Sequence, residues 1–172
     1  MKKLVLALVF AFSSMAFISS CVNMDDTYEE NLKKQEEYYK LVREQYITDS
    51  TLIVKYIADS SLVAQVDTTY GFYYIIEKTG DDNHPTTNST VEVKYKGYLL
   101  DGTVFYEPKE DVSTTTSLST LISGWQLGLP LIGTGGKIKL ILPSYYAYGM
   151  SDYGSIPANS VVIFEIELIS FY

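Results

Sequence analysis

The sequence has one cysteine, one histidine and one tryptophan among its 172 residues. A lone cysteine has no partner within the chain, which excludes an internal disulfide and leaves a free thiol, an intermolecular bridge or a modified side chain. The histidine, His84, falls in the turn-rich run Asp81-Asp82-Asn83-His84-Pro85 and is expected to be solvated. The acids of that run offer fewer oxygen ligands than a calcium site takes. Positive charge is scarce as well: 13 Lys and Arg stand against 21 Asp and Glu, for a net charge of −8. So acidic a chain is a poor candidate for binding nucleic acid or anionic lipid headgroups. The longest apolar run, residues 4–18, is about 15 residues and falls short of the ~20 that a spanning helix needs. Long repeats and low-complexity linkers are absent.

What is present begins with the pattern of a secretory signal: basic Met1-Lys2-Lys3, the apolar run, then small residues. Residues Ile18-Ser19-Ser20-Cys21 resemble the bacterial lipobox, an aliphatic residue and two small ones before a cysteine that is acylated on sulfur. That resemblance implies a signal peptide over 1–20, lipid on Cys21 and a place in the bacterial cell envelope, anchored to the outer membrane. Each buried methylene would add about 0.8 kcal/mol of membrane affinity, and one acyl chain alone anchors only marginally. Loss of residues 1–20 would remove Lys2 and Lys3 and no acid, taking the net charge from −8 to −10.

After Cys21 a short acidic tether leads to a helix expected over 27–46, where Tyr28, Leu32, Tyr39, Val42 and Tyr46 share one face. Thr27 with Glu30 fits a capping box. The stripe should pack on the chain's own domain or on a second copy. A second short helix is expected from Asp49-Ser50, taking in Leu52, Ile53, Tyr56 and Ile57. Residues 21–62 thus form a lipidated tether and helical extension, and 63–172 form the domain.

From Tyr70 the period becomes two. Val91, Val93 and Tyr95 alternate with Glu92, Lys94 and Lys96. Ile138, Leu140 and Leu142 alternate with Lys137, Lys139 and Ile141, and Val162, Phe164, Ile166 and Leu168 with Ile163, Glu165, Glu167 and Ile169. Strands with one dry and one largely wet face indicate an antiparallel sheet covered on one side. The cover is expected in 120–132, where Leu121, Ile122, Trp125 and Leu129 fall at helical spacing. Sixteen tyrosines fit a strand-rich chain.

Four runs, in order, resemble the FKBP family of peptidyl-prolyl cis-trans isomerases. They are residues 93–105, with Tyr95, Gly97, Asp101-Gly102-Thr103 and Phe105; Ile122-Ser123-Gly124-Trp125; residues 143–149, with Tyr146-Ala147-Tyr148-Gly149; and Ile156-Pro157-Ala158-Asn159-Ser160 leading into Phe164. The resemblance covers 70–172. It implies an α+β fold, a five-stranded antiparallel sheet wrapped around one short helix, with the amino-terminal helix as an extension.

It also implies a site. Tyr95, Phe105, Tyr148 and Phe164 would be the catalytic walls, and Tyr106, Leu121, Ile122, Trp125 and Ile156 would bind substrate, with Trp125 as the floor. In the family, the backbone N–H matching Ile122 and the hydroxyl matching Tyr148 hold the carbonyls flanking proline. Two departures stand out. Tyr106 replaces an aspartate that accepts hydrogen bonds from the pocket tyrosine, so Tyr148 is expected to lack its acceptor. A further pocket phenylalanine has no counterpart that can be placed among 112–117, and Asp152 or Tyr153 falls at the rim. The implied partners are proline-containing polypeptides of the envelope, with no cofactor and no metal; a proline-binding or chaperone-like lipoprotein without catalysis is the alternative.

Overall fold

The computed structural model describes residues 22–109 and 112–172; the signal segment and Cys21 lie outside them. Two compact units are present, Met1–Arg43 and Glu44–Tyr172. Helix α1 spans Val22–Asp59 as one element, so the separate helix expected from Asp49 does not exist, and Thr27 lies inside the helix rather than capping it. The residues flanking the expected start are bonded back along the helix instead. Thr48 Oγ1 donates to the Glu44 carbonyl at 3.0 Å and Thr51 Oγ1 to that of Ile47 at 2.8 Å. Such back-bonding lets threonine sit mid-helix without competing for the ladder. In the first unit, Tyr28, Leu32 and Tyr39 of the expected stripe are exposed. Among the described residues no helix is long and apolar enough to cross a membrane.

The second unit holds the sheet. Its strands are β1 (Gln65–Val66), β2 (Tyr73–Lys78), β3 (Thr90–Leu99), β4 (Val104–Tyr106), β5 (Thr114–Ser117), β6 (Lys137–Leu142) and β7 (Val162–Phe171). They run antiparallel in the order β1-β2-β6-β7-β3-β4, with β5 also on β3. The count is therefore seven rather than the expected five. The difference is local: β4 and β5 pair with opposite ends of β3, at Gly97-Tyr98 and Thr90–Val93 respectively, and β1 adds two residues beside β2.

The alternation buries what it promised. Val91, Val93, Ile138, Leu140, Leu142, Val162, Phe164, Ile166 and Leu168 form one core with Trp125 and Leu129. Helix α2 (Ser123–Gly128) lies on that face, shorter than the apolar spacing suggested because Pro130 follows within a 3₁₀ turn, Leu129–Leu131. Its close approach needs Gly124, where a Cβ would fall 2.4 Å from a Leu142 methyl. His84 is exposed, as expected, and its Nδ1 lies 2.8 Å from the Pro130 carbonyl oxygen.

The other face is less wet than its charges suggest. Ile141, Val161 and Ile163 pack there with Ile53 of α1 in a second core, edged by Tyr56, Ile57, Leu62, Tyr73 and Tyr98. Residues 44–62, grouped with the extension in the sequence reading, thus belong to the compact unit of the sheet. The helix ends there without glycine. Ser61 takes the left-handed conformation at φ 53°, and Leu62 N–H bonds to the Ile57 carbonyl at 3.0 Å, which closes the last turn and turns Leu62 back into this core.

Candidate functional site

The inward-facing positions of β3 and β7 put Tyr95 and Phe164 on the face that α2 covers, and the three rings meet. Trp125 stands edge-on to both, with centroids 4.8 Å from Tyr95 and 5.3 Å from Phe164. Phe105 of β4 meets Phe164 edge to face at 5.6 Å. It fits because residue 97 of β3 is glycine: a Cβ there would lie 2.3 Å from the Phe105 ring. Edge-to-face pairs at these separations are the favoured aromatic geometry. Each ring thereby holds its neighbours in a fixed orientation.

These rings do not close over one another. A cavity of about 90 Å³ opens between α2 and β5, lined by Leu121, Ile122 and Trp125 on one side and Thr114 and Thr116 on the other. A second, of about 300 Å³, is lined by Phe105, Tyr106, Tyr153 and Ile156. Tyr95, Tyr148 and Phe164 line both. All nine site residues expected from the sequence thus converge on one place, while Cys21 lies outside the described residues. Phe164, Trp125 and Ile156 are buried to within a few per cent, and the others are half-buried.

Two threonines that line the smaller cavity were not expected from the sequence as site residues. Thr114 and Thr116 stand where the family's unplaced phenylalanine was sought, so β5 offers small hydroxyl side chains to the cavity. The outward signal was only a run of threonines, which reads as any edge strand. Of the two rim candidates, Tyr153 is the one at the cavity: its ring stacks on Tyr148 at 4.6 Å and 17°. Asp152 is spent on the backbone, accepting from Ala158 N–H at 2.8 Å.

The polar groups are few and directional. Burial, reinforced by the neighbouring Tyr106, pushes the Tyr95 hydroxyl up to about 12. Burial, with Tyr153 beside it, also raises Tyr148. Both hydroxyls therefore keep their protons at neutral pH and can donate. The Trp125 indole N–H is buried without a hydrogen-bond partner. Ile122 immediately precedes α2 as its N-cap residue, so its own N–H lies outside the helical ladder. An apolar hollow walled by rings and edged by donors suits a small apolar ring flanked by carbonyl oxygens.

Tyr106 meets Tyr95 directly. Its ring stacks on that of Tyr95, with centroids 4.2 Å apart. The ring partners of Tyr148 are Phe105 and Tyr153. The substitution therefore acts first on Tyr95.

Comparison with known proteins agrees with this geometry. The family model for FKBP-type peptidyl-prolyl cis-trans isomerase matches residues 81–169. The chain is 39% identical over 145 residues to the FKBP-type peptidyl-prolyl cis-trans isomerase FkpA of Buchnera aphidicola subsp. Schizaphis graminum, covering 82% of this chain and 56% of that protein. It is 40% identical over 102 residues to FkpA of Escherichia coli strain K12, covering 58% of this chain and 37% of that one. It thus spans roughly half or less of the length of these relatives. Among solved structures, FkpA from Escherichia coli matches with a TM-score of 0.60 at 28% identity, over 99% of this chain and 73% of that one. A peptidyl-prolyl cis-trans isomerase from Pseudomonas syringae pv. tomato matches with a TM-score of 0.63 at 29% identity, over 75% of this chain and 94% of that one. Sequence motifs, fold and ring geometry lead to the same assignment: the chain belongs to the FKBP-type peptidyl-prolyl cis-trans isomerase family.

Proposed function

We propose that this protein catalyses cis-trans exchange of Xaa-Pro bonds in proline-containing polypeptides of the cell envelope. One observation carries the reading: the rings of Tyr95, Phe105, Trp125 and Phe164 stand edge to face around open space instead of packing it full. Rotation about a peptide bond faces a barrier of about 18–20 kcal/mol, and no covalent step is needed to lower it. The planar amide is stabilised by charge separation that water solvates well. An apolar pocket withdraws that solvation and so favours the twisted, less polar amide. In this reading proline enters against Trp125, Tyr148 and the Ile122 N–H hold the flanking carbonyls, and Phe105, Phe164, Leu121 and Ile156 keep water out.

The same proposal covers the amino-terminal segment: residues 1–20 a signal peptide, Cys21 the lipid anchor to the outer membrane, 21–62 a tether and helical extension whose residues 44–62 pack against the sheet, and 63–172 the isomerase domain. The site is tested by the exchange rate of a short Xaa-Pro peptide, followed together with Trp125 fluorescence. Exchange faster than the uncatalysed tens to hundreds of seconds, with the acceleration abolished in Phe164→Ala, is expected. A peptide that quenches Trp125 but exchanges no faster would replace the enzyme with a proline-binding protein.

A further inference from the structure

Among the described residues the buried polar or charged side chains are Asp49 and Ser144, and they are bonded to each other. Asp49 lies on α1, 95 residues earlier in sequence. Its Oδ2 accepts from Ser144 N–H at 2.8 Å and from Ser144 Oγ at 2.6 Å, and its Oδ1 accepts from Gln45 Nε2 at 2.7 Å. A carboxylate taken fully out of water is costly, and a well-packed apolar residue would usually stabilise as much or more. Stability alone gives little reason for an acid here. Its position gives another.

Ser144 begins the 3₁₀ turn Ser144–Tyr146 that follows β6. The Ser144 carbonyl accepts from Ala147 N–H at 3.0 Å and from Gly149 N–H at 2.9 Å. Those are the amides on either side of Tyr148. The Gly149 carbonyl in turn accepts from Asn159 N–H at 2.9 Å, which joins the turn to the segment running into β7. One residue thus holds both flanks of Tyr148, and Asp49 holds that residue by main chain and side chain together.

We infer that Asp49 is a positioning residue for Tyr148: through Ser144 it fixes the turn that aims the Tyr148 hydroxyl into the site, and so links helix α1 to isomerase activity. The inference rests on the function proposed above for its reading of Tyr148. Without Asp49 the buried Ser144 N–H and hydroxyl lose their acceptor, and the turn must move to find another. Asparagine should serve almost as well. Its oxygen can take both Ser144 bonds, and Gln45, by rotating its amide, can offer an oxygen to the new NH₂.

The test uses the full-length protein and three variants: Asp49→Ala, Asp49→Asn, and Ile53→Ala as a control on the same helix that weakens packing without touching the turn. Two quantities are read, kcat/KM on an Xaa-Pro peptide and hydrogen–deuterium exchange of residues 143–150 against that of β6 and β7. Asp49→Ala is expected to lower kcat/KM about tenfold, the factor that corresponds to ~1.4 kcal/mol, and to speed exchange in 143–150 alone. Asp49→Asn should restore kcat/KM to within about threefold of wild type, the retained bonds accounting for the rescue. Ile53→Ala should lower the melting temperature while leaving kcat/KM within about twofold, because packing lost elsewhere acts additively. If Asp49→Ala does not fold, Ser144→Ala, which removes the hydroxyl bond and keeps the main-chain one, should show the same pattern at smaller size. The inference is overturned if exchange in 143–150 is unchanged, or if Ile53→Ala lowers kcat/KM as much as Asp49→Ala. A wild-type protein without isomerase activity would sink the proposed function instead, and the exchange data would still decide whether Asp49 holds the Tyr148 turn.

Discussion

The ring of Tyr106 lies flat on that of Tyr95, with centroids 4.2 Å apart and planes 12° apart. Tyr95 is also edge-on to Trp125 at 4.8 Å. A residue on the short strand β4 is therefore one ring away from the floor of the site, and it reaches that floor through Tyr95. Tyr106 also lines the larger cavity, so it shapes the space beside the rings as well as the chemistry of one hydroxyl.

This contact predicts a specific mutational pattern. Tyr106→Asp should place a carboxylate acceptor beside the Tyr95 hydroxyl, and a charge-assisted hydrogen bond there is worth about 1.5–3 kcal/mol at best. Only the part felt in the twisted amide speeds exchange, so kcat/KM should rise on the order of tenfold. Tyr95→Phe in the same background should cancel most of that gain, whereas Tyr148→Phe should lower the rate independently. The stack itself is lost, costing about 0.5–1.5 kcal/mol of stability. Peptide exchange rates and melting temperatures of the four proteins check the pattern, and an unchanged rate in a folded Tyr106→Asp protein would mean that Tyr106 does not limit the site.

Tyr95 should also leave a signature in alkaline stability. Its hydroxyl is raised from 10.0 to about 12, first by burial and then by Tyr106. A proton held more tightly in the folded state stabilises it at low pH, because the unfolded chain releases that proton earlier as pH rises. The contribution is fully present below pH 10 and is lost as pH climbs through about 12. Urea unfolding at intervals across that window should show a falling midpoint in the wild type, and a shallower fall in Tyr95→Phe. Equal slopes would remove Tyr95 as the cause.

Much of this was legible in the sequence because alternation and motif spacing are local. The dry faces of β3, β6 and β7, and the placement of Trp125 opposite Tyr95 and Phe164, follow from period two and helical spacing alone. Two isoleucines in the nominally wet positions, Ile141 and Ile163, were the visible trace of a second covered face. What covers it, Ile53 on α1, lies some 90 residues earlier, a distance over which no periodicity speaks. The continuity of α1 was hidden because Thr48, Asp49 and Ser50 are the residue types that cap helices, and only a tertiary partner such as Ser144 shows Asp49 in use elsewhere. Strand β5 was illegible for the opposite reason: four small polar residues carry no pattern of their own.

For the proposed anchor, Cys21→Ser should leave the protein unprocessed or released from membranes. One acyl chain holds only marginally, so removal of the whole modification should be visible in a simple fractionation with a salt wash. If Cys21→Ser sedimented with membranes as firmly as wild type, lipid on Cys21 would not be the anchor.

The last prediction concerns where the folding unit begins. Deleting residues 1–43 removes the whole of one compact unit and none of the other, so the remainder should unfold in one sharp transition. Deleting residues 1–60 is different. It takes away Ile53, buried at 0% exposure, and uncovers Ile141, Val161 and Ile163, which are now 0–4% exposed. Burying such a side chain is worth about 1.5–3 kcal/mol each, and leaving the Ser144 N–H without Asp49 costs about 1–3 kcal/mol more. Together these reach the 5–15 kcal/mol by which a typical domain is stable at all. The longer deletion should therefore melt broadly, bind a dye for exposed apolar surface, or aggregate. Calorimetry on the two truncated proteins decides it. Equally sharp transitions at similar temperatures would show that residues 44–60 only rest against the sheet, and that the core around Trp125 is sufficient alone.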